Sequence, residues 1–375
     1  MDTFADEQLR YRIALAGFRG MTRRLAEILV ELTGDISAFF TLSQQELIQL
    51  TGCDGILFSE VERGKALKIA AEEVAFVRKN GIIPLFFTDQ SYPRRLLECD
   101  DAPLMLYYKG SEMFLQPHVV SIVGTRHATP YGKSFVDSLV RDLSAACPDT
   151  LVVSGLAYGI DIAAHKAALR YGLPTVAVLA HGLNTIYPAS HRHTAVEMLS
   201  CGGLLTEYTS AQSIHRSYFL ARNRIVAGLA DAVIVVESGV KGGSLVTASM
   251  AGDYNRDVFA LPGRIGDISS VGCNELIRRN KAALITSAED LLEAMNWKPN
   301  ALQTMQASLS QEENVEITDE EQSILQYLNQ SGEGQINHMA AELGYAVATL
   351  SALLVELEFK GKVIAFPGGV YRTSI

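Results

Sequence analysis

Cysteine is scarce in this sequence, and long apolar stretches are absent. The five cysteines, Cys53, Cys99, Cys147, Cys201 and Cys273, lie far apart without a C-x-x-C pair, which indicates neither a zinc ribbon nor a disulfide framework. No stretch approaches the roughly 18 uninterrupted apolar residues of a membrane-spanning helix, and the start MDTFADEQLR lacks the apolar core of a signal peptide. We therefore expect reduced thiols, no membrane partner and a cytoplasmic location.

Positive charge is in the minority. The 375 residues carry a formal net charge of −10, which argues against a protein that coats nucleic acid or an anionic membrane over its whole surface. Any site for a polyanion must therefore be local. The composition, 48% hydrophobic and 20% charged, is typical of a soluble globular protein, and the length predicts two or three domains.

Residues 1–80 predict a helical domain of the helix-hairpin-helix or SAM-like type. Leucine and isoleucine recur at three- and four-residue steps in LAEILVEL and LSQQELIQL. Two loops bounded by glycines, 17–20 and 52–55, separate such segments. These loops are suited either to touching a DNA phosphate or to plain helix punctuation, and the sequence leaves both interpretations open.

Residues 81–297 predict an α/β domain with an extended Rossmann-like fold. From about residue 118, short apolar segments alternate with helical ones; the strand candidates are HVVSIVG, TLVVSG, TVAVLA, GLLTEY, DAVIVVE, DVFALPG and AALIT. Such alternation is typical of a parallel sheet covered by helices on both faces. Ligands of these sheets bind at the carboxyl ends of the strands.

Residues 298–317 predict a linker, and residues 318–375 predict a winged-helix-like domain. Three short helical stretches lead into a hairpin with glycines at its tip. Residues 298–375 hold four basic and ten acidic residues, a net charge of −6. Because the third helix has no basic residue before Lys360, we expect it to pack or to contact protein rather than to read duplex DNA.

Glycines and basic residues follow several predicted strands of the α/β domain. They are Gly124 and Arg126, Gly155 and Gly159, Gly182, and Lys241, Gly243 and Ser244, with Arg222 and Arg224 on the preceding helix. Residues 121–297 contain fifteen basic and fifteen acidic residues, so cations gathered at one edge indicate a confined anion site. A glycine turn before a helix, as in 155–159, predicts a phosphate contact.

The usual nucleotide motifs are missing from these loops. VGTRHATPYG does not have the G-x-G-x-x-G spacing of a dinucleotide fold, and no G-x-x-x-x-G-K-[ST] occurs. We therefore expect no cofactor. Asp161 and His165 are four apart on one predicted helix face, which suits an acid/base pair but suits a loop support better. His181, His191 and His193 have no cysteine or carboxylate at ligand spacing, so we expect no metal site there.

Several of these segments together resemble one family. VGTRHATPYGKSFVDSLVRDLS, VVSGLAYGIDIAAHKAAL, VAVLAHGLNTIYPASH and FLARNRIVAGLADAVIVVESGVKGGSLVTASMA are similar to the DprA/Smf family of DNA-processing proteins, and the resemblance covers about 120–285. It implies a non-enzymatic protein that binds and protects single-stranded DNA and helps to load the RecA recombinase in natural transformation. It also implies a homodimer formed through this domain.

The resemblance implies roles for individual residues. Arg126, Arg222, Arg224 and Lys241 correspond to the family's DNA-contacting basic positions. Phe219 and Tyr158 are possible stacking residues by our own interpretation, and a core role explains Phe219 equally well. This chain has Gly242 where the family often has serine, and Thr125 where it often has serine or alanine, which puts individual hydroxyl contacts in doubt.

The strongest alternative is a nucleotide-processing enzyme on a related fold. Phosphoribohydrolases of the lysine decarboxylase-like group hold a phosphate in a P-G-G-x-G-T-x-x-E loop, which also supplies a glutamate. Residues 242–244 lie where that loop would be. However, no acidic residue occurs between Glu237 and Asp253, so the carboxylate for breaking an N-glycosidic bond is missing there.

Overall fold

The computed structural model describes residues 3–18, 20–52, 59–111, 116–297 and 318–373. The chain divides into two compact units, Met1–Gln303 and Thr304–Ile375. The predicted linker 298–317 lies outside the described residues, as do Arg19 and residues 53–55 of the two N-terminal loops. The boundaries at 80/81 and at either end of the linker stay predictions.

The N-terminal part of the first unit contains five helices and no strand in its described residues 3–79. Its helices are α1 (Thr3–Ala16), α2 (Arg23–Thr33), α3 (Ile36–Thr41), α4 (Gln44–Thr51) and α5 (Glu60–Lys79). Side-chain oxygens of Thr22, Asp35 and Ser43 accept backbone N–H groups at the starts of α2, α3 and α4, which fixes where these helices begin. Arg63 on α5 is buried and donates to the carbonyls of Phe39 and Leu42, tying α3 to α5.

A nine-stranded sheet follows in the described residues of the first unit. Its strands are β1 (Ile83–Phe86), β2 (Met105–Gly110), β3 (His118–Gly124), β4 (Thr150–Ser154), β5 (Thr175–Val178), β6 (Gly202–Thr206), β7 (Ala232–Val236), β8 (Asp257–Ala260) and β9 (Ala283–Leu284). Their order is β1-β2-β6-β5-β4-β3-β7-β8-β9. Seven of these strands are parallel to one another: β3, β4, β5, β6, β7, β8 and β9. In contrast, β1 pairs antiparallel with β2, and β2 pairs antiparallel with β6. Strand order reverses between β3 and β7, so a crevice opens at their carboxyl ends.

Helices connect and cover the strands. They are α6 (Arg94–Leu97), α7 (Pro130–Ala146), α8 (Ile160–Tyr171), α9 (Arg192–Glu197), α10 (Arg216–Leu229), α11 (Gly243–Asp253), α12 (Val271–Arg278) and α13 (Ala288–Ala294). Successive residues of β7 pack on opposite faces of the sheet. Val233 and Val235 belong to a hydrophobic core shared with α10 and α11, whereas Ile234 and Val236 belong to a second core shared with α7, α8 and α13. A strand buried on both faces explains its continuous apolar sequence.

The second unit has its own small core. It contains α14 (Asp319–Ser331), β10 (Gly334–Gln335), α15 (Ile336–Leu343), α16 (Val347–Phe359), β11 (Val363–Phe366) and β12 (Val370–Thr373), with strand order β10-β12-β11. Gly368 and Gly369 both have positive φ at the tip of the β11–β12 hairpin, where a tight turn needs glycine. The predicted fold class is confirmed: a Rossmann-like parallel sheet with a helical N-terminal part and a winged-helix-like C-terminal part.

Basic side chains of the second unit pair with its own carboxylates. Lys360 Nζ lies 2.7 Å from both carboxylate oxygens of the buried Glu321, and Arg372 pairs with Glu333. These ion pairs and the net negative charge of the unit support the expectation that its third helix does not read duplex DNA.

No single helix in the described ranges is both long and apolar enough to cross a bilayer. One bent pair, Ile336–Leu343 with Val347–Glu358, reaches the required length and composition only when its two helices, 110° apart, are counted together.

A buried carboxylate connects the N-terminal helices to the loop before α10. Glu73 on α5 is 3% exposed, and its two oxygens accept the Ser210 backbone N–H at 3.0 and 2.9 Å. The Ser210 hydroxyl also donates to Glu73 Oε2, at 2.6 Å. Hydrogen bonds to a buried charge are among the stronger ones, so this contact fixes the loop.

We predict that Glu73→Ala lowers the free energy of unfolding by about 2 kcal/mol, because the half-buried Ser210 N–H and hydroxyl lose their acceptor. Urea denaturation followed by the fluorescence of Trp297, the single tryptophan and part of the same unit, measures the change. The matched control is Glu72→Ala, since Glu72 is exposed one residue away. Equal stability of the two variants would show that the Glu73 contact contributes nothing.

Candidate functional site

A cleft of about 750 Å³ opens at the carboxyl edge of the parallel sheet, between β3 and β7. Segments that follow β3, β4, β5 and β7 line it together with α10. The lining includes Gly124, Thr125, Arg126, Ala157, Asp161, Tyr187, Ile214, Arg216, Phe219, Leu220, Arg222, Asn223, Ser238, Gly242, Gly243, Ser244 and Thr247. The sequence prediction of a ligand site at strand ends therefore agrees with the position of this cleft.

The end of β3 and the end of β7 are held against each other. Thr125 N–H donates to the Glu237 carbonyl at 2.8 Å, and the Glu237 carboxylate accepts the backbone N–H of Thr129 at 2.8 Å and its hydroxyl. A Cβ on Gly124 would collide with the Val236 carbonyl and with the Ile160 side chain. Gly124 is therefore needed for close packing at the cleft floor.

Two backbone N–H groups of the loop 155–159 bind Asp161. Asp161 Oδ2 accepts the N–H groups of Gly155 at 3.1 Å and of Ala157 at 3.3 Å. Burial raises the pKa of Asp161, and the nearby Arg222 opposes that change. These two amides are donated to a carboxylate, so the phosphate contact of this loop stays a prediction that would fall to its other N–H groups. Asp161 does support the loop, as the sequence suggested.

Gly155 and Gly159 are instead positions of close approach. A Cβ on Gly155 would strike the Arg222 guanidinium, and a Cβ on Gly159, whose φ is +78°, would strike the carbonyl of Thr125. Neither glycine is among the lining residues. Both glycines lie behind the cleft surface and allow the neighbouring segments that form its wall to pack closely.

Arg222 joins two strand ends from inside the wall. It is 5% exposed, and its Nη1 donates to the Gly155 carbonyl at 2.7 Å and to the Val178 carbonyl. Burial lowers the pKa of Arg222, and the neighbouring Asp161 counteracts this. Its positive charge therefore lies in the cleft wall, while its Nη1 is hydrogen-bonded to backbone carbonyls of the protein.

Arg126, Phe219 and Tyr187 lie together in the lining, and we call this group the cation–aromatic cluster. The Arg126 guanidinium carbon lies 5.8 Å from the Phe219 ring centroid. Tyr187 meets the same ring edge to face, with centroids 5.7 Å apart and planes at 69°. Arg126 is exposed and Tyr187 is half-exposed, so a positive charge and two aromatic faces are available together.

The start of α11 forms the opposite side of the cleft. Gly243 and Ser244 line the cleft there, and no side chain in the described residues caps the first turn of α11. The Ser244 hydroxyl donates to Ser238 Oγ at 2.9 Å, which fixes it in the wall. The positive end of an 11-residue helix therefore contributes to the potential in the cleft.

Besides Gly155 and Gly159, four further residues discussed as DNA contacts lie outside the lining. Arg224 pairs with Glu207 and donates to the Asp101 carbonyl at 2.6 Å, so its guanidinium is bound to the fold. Lys241 is exposed beside the lining residue Gly242. A Cβ on Gly182 would collide with the Thr209 carbonyl, so that glycine packs two loops. Tyr158 contacts the His191 ring at 4.9 Å rather than the cleft.

The sequence reasoning missed one face of α10. Arg216, Leu220 and Asn223 all line the cleft, and their steps of four and three place them on the same helix face as Phe219. Helical spacing from Phe219 would have found them. The sequence analysis predicted Arg222 and Arg224 as DNA contacts, whereas Arg216 is the second arginine of α10 that lines the cleft.

The histidines support loops. His181 Nδ1 donates to the Gly182 carbonyl at 2.9 Å, and its Nε2 accepts the Tyr187 N–H at 3.2 Å. Burial lowers the pKa of His181, against the effect of these hydrogen bonds. His191 Nδ1 donates to the Leu156 carbonyl at 2.8 Å. In the described part of the chain, His181, His191 and His193 do not form a close group of metal ligands.

His165 and Asp161 do not act on each other. The Thr175 hydroxyl donates to the Val152 carbonyl at 2.9 Å, so it accepts from His165 Nδ1 at 2.7 Å. His165 Nε2 is then a buried acceptor with no hydrogen-bond partner among the described residues. The geometry favours a buried neutral imidazole over an acid/base pair.

Comparisons with known proteins agree on one family. A family model described as DNA recombination-mediator protein A matches residues 83–296, and one described as DprA winged helix domain matches residues 306–369. Protein Smf of Escherichia coli K12 is 34% identical over 333 residues, which cover 83% of this chain and 86% of that protein. DNA processing protein DprA of Streptococcus pneumoniae R6 is 41% identical over 204 residues, 54% of this chain and 71% of that protein.

Two solved structures are similar as well. The X-ray structure of DNA processing protein A from Streptococcus pneumoniae has a TM-score of 0.63 and 32% identity, covering 76% of this chain and 95% of that one. DNA processing protein A from Helicobacter pylori, whose structure concerns a single-stranded DNA binding mode, has a TM-score of 0.51 and 31% identity. It covers 57% of this chain and 95% of that one.

We predict that His165 makes the fold acid-sensitive. Burial, with Arg222 and His191 nearby, lowers the pKa of His165 from 6.5 to about 3, so its neutral form stabilises the fold fully above pH 6.5. That contribution is lost as the pH falls towards 3, at up to about 1.4 kcal/mol per pH unit. Asp161, with its raised pKa, acts in the opposite direction.

The measurement is the free energy of unfolding between pH 4.5 and 6.5 for the wild type and for His165→Asn, whose amide can still donate to Thr175. The variant should show a flatter dependence by about one proton. His193→Asn is the control, since that side chain is 86% exposed. Identical slopes for the wild type and His165→Asn would contradict the prediction.

Proposed function

Because the chain belongs to the family of DNA recombination-mediator protein A, named DprA or Smf in its relatives, we propose that its cleft binds single-stranded DNA. The observation that carries the proposal is the cation–aromatic cluster at the mouth of the cleft. Unpaired bases expose their faces to aromatic rings, whereas duplex bases are stacked on each other. The related Helicobacter pylori protein is described by its single-stranded DNA binding mode.

Phosphates are bound, in this proposal, by Arg126 and Arg216 and by the start of α11. All three lie in the lining, and Arg126 is exposed. Arg222 adds its charge from inside the wall. A protein with net charge −10 thereby confines its attraction for a polyanion to one cleft.

Bases stack on Phe219 and Tyr187. The two rings meet at 69°, so they offer faces in two directions to successive bases. Gly243, with open space where a Cβ would lie, lets a DNA strand approach the backbone closely. Gly124, Gly155, Gly159 and Gly182 act through the shape of the walls, and Ser244 is fixed in the wall by Ser238. Lys241 is suited to a phosphate just outside the cleft, and Arg224 is not part of the proposed contact surface.

We infer that the protein acts by binding and is not an enzyme. A phosphoribohydrolase would need a carboxylate aimed at the bound nucleotide from the glycine loop, and 238–252 contains none. The nearest, Glu237, is 3% exposed and accepts hydrogen bonds from Thr129. Asp161 is committed to the loop 155–157. Release of a free base from a nucleoside monophosphate would revive the enzyme hypothesis.

The proposed partners are a second copy of the chain and a RecA-type recombinase. The matched family is described as a recombination mediator, and such a role requires transfer of protected DNA to a recombinase.

For the homodimer, exposed apolar side chains lie on two neighbouring loops of the Rossmann-like part. Val240 is 71%, Ile268 84% and Ile265 97% exposed, and the Ile268 carbonyl lies 3.8 Å from the position of a Cβ on Gly239. Burial of this patch against its own copy would stabilise a dimer.

We predict that Arg126→Ala weakens binding of a fluorescent oligo-dT by about 1–2 kcal/mol, or roughly 5- to 30-fold, because a charge-assisted phosphate contact is lost. The slope of log K against log salt should fall in magnitude by about 0.7. Fluorescence anisotropy across a salt series, with duplex of equal length alongside, provides both numbers. Arg141→Ala on α7 is the control, since Arg141 pairs with Asp142 and does not line the cleft. Equal affinities of the two variants, or duplex binding as tight as oligo-dT binding, would remove the proposed interface.

We predict that Ile265→Asp with Ile268→Asp converts a dimer into a monomer, since two carboxylates on each copy would oppose burial of the patch. Light scattering coupled to size-exclusion chromatography measures the mass of the wild type, the double variant and the control Val61→Asp on α5. A monomeric wild type would contradict the proposed dimer. A double variant that stays dimeric would show that the dimer contact lies outside this patch.

A further inference from the structure

Three metal-binding side chains lie together at the amino-terminal edge of the sheet, opposite the cleft. His118 is the first residue of β3, Cys147 ends α7, and Asp149 directly precedes β4. The β3–β4 register pairs His118 with Thr150, and Thr150 N–H donates to the Cys147 carbonyl at 3.1 Å. The sheet and a tight turn therefore bring the three residues to one place.

Their donor atoms are close enough for a common ligand. One nitrogen of His118, the Cys147 sulfur and one Asp149 oxygen all lie within 4.8 Å of one another. Ligands around a tetrahedral zinc ion are about 3.5 Å apart, so side-chain movements of roughly 1 Å would close the site. Among the described residues, no other group of three such side chains is brought this close.

We propose that His118, Cys147 and Asp149 bind a zinc-type divalent metal ion, with water completing its coordination. Nitrogen, thiolate and carboxylate ligands in one small set favour zinc over magnesium or calcium, which prefer oxygen alone. Cys147 is 2% exposed while Asp149 is exposed, so the ion is held from the protein side and remains accessible from the solvent side.

Trp297 orients the histidine of this site. Its ring stacks on His118 with centroids 4.3 Å apart and planes at 27°, and it packs on the core beneath α7 and α13. A ring held by such a neighbour loses less freedom when it binds a metal. The metal would connect the start of β3 to the turn before β4, and binding to the folded state alone stabilises that state.

A redox-active thiol is the competing explanation for Cys147. Cys147 is 2% exposed, whereas reactive thiols have open access. The nearby imidazole and carboxylate are both metal ligands, which a redox thiol does not require. The metal explanation therefore accounts for all three residues.

The test is a cobalt titration of the full-length chain after removal of metals with a chelator. Bound Co²⁺ should produce a thiolate charge-transfer band in the near ultraviolet and quench Trp297, the single tryptophan. Zn²⁺ should displace Co²⁺, remove the band and raise the melting temperature. The absence of a saturable band and of quenching in the wild type would overturn the proposal.

Variants identify the ligands. Cys147→Ser should abolish the charge-transfer band, and Asp149→Asn should weaken Co²⁺ at least tenfold. Because Asp149 is exposed, that variant tests the site even if the serine variant folds poorly. Cys201→Ser, at a partly buried cysteine outside the group, is the control and should bind as the wild type does. Wild-type binding by Asp149→Asn, or loss of the band in Cys201→Ser alone, would contradict the proposed ligand set.

Discussion

The arrangement of the cleft depends on the Arg222 guanidinium. Its Nη1 donates to carbonyls at the ends of two parallel strands, Gly155 after β4 and Val178 in β5, and Asp161 compensates part of its buried charge. A buried cation without these partners would be strongly unfavourable. The same group therefore fixes the relative position of two strand ends and places a permanent positive charge behind the surface that a polyanion would meet.

The fold was predictable because its signals are local. Apolar strand segments from β3 to β9 alternate with helical ones, and a sheet buried on both faces leaves that pattern directly in the sequence. The antiparallel strands β1 and β2 were not among the strand candidates. They flank the small helix α6, and they acquire their role by pairing at the edge next to β6. Such pairing is a tertiary effect that periodicity does not record.

The site was predictable in position and less so in detail. Glycines and arginines after strands located the cleft, because the carboxyl ends of parallel strands share one edge. What each residue does there depends on partners distant in sequence. Arg224 is bound to Glu207, the amides of 155 and 157 are bound to Asp161, and Tyr187 reaches the cleft because His181 holds its backbone. None of these pairings has a sequence pattern of its own.

The glycines behind the cleft change how mutational data on this protein should be interpreted. Gly124, Gly155 and Gly159 stand where any side chain would overlap a neighbouring backbone or the Arg222 guanidinium. A scan that replaced each with alanine would report a loss of ligand affinity at all three positions, although Gly155 and Gly159 do not line the cleft. Affinity and thermal stability would fall together at 124, 155 and 159, whereas a residue that only touches the ligand would change affinity alone.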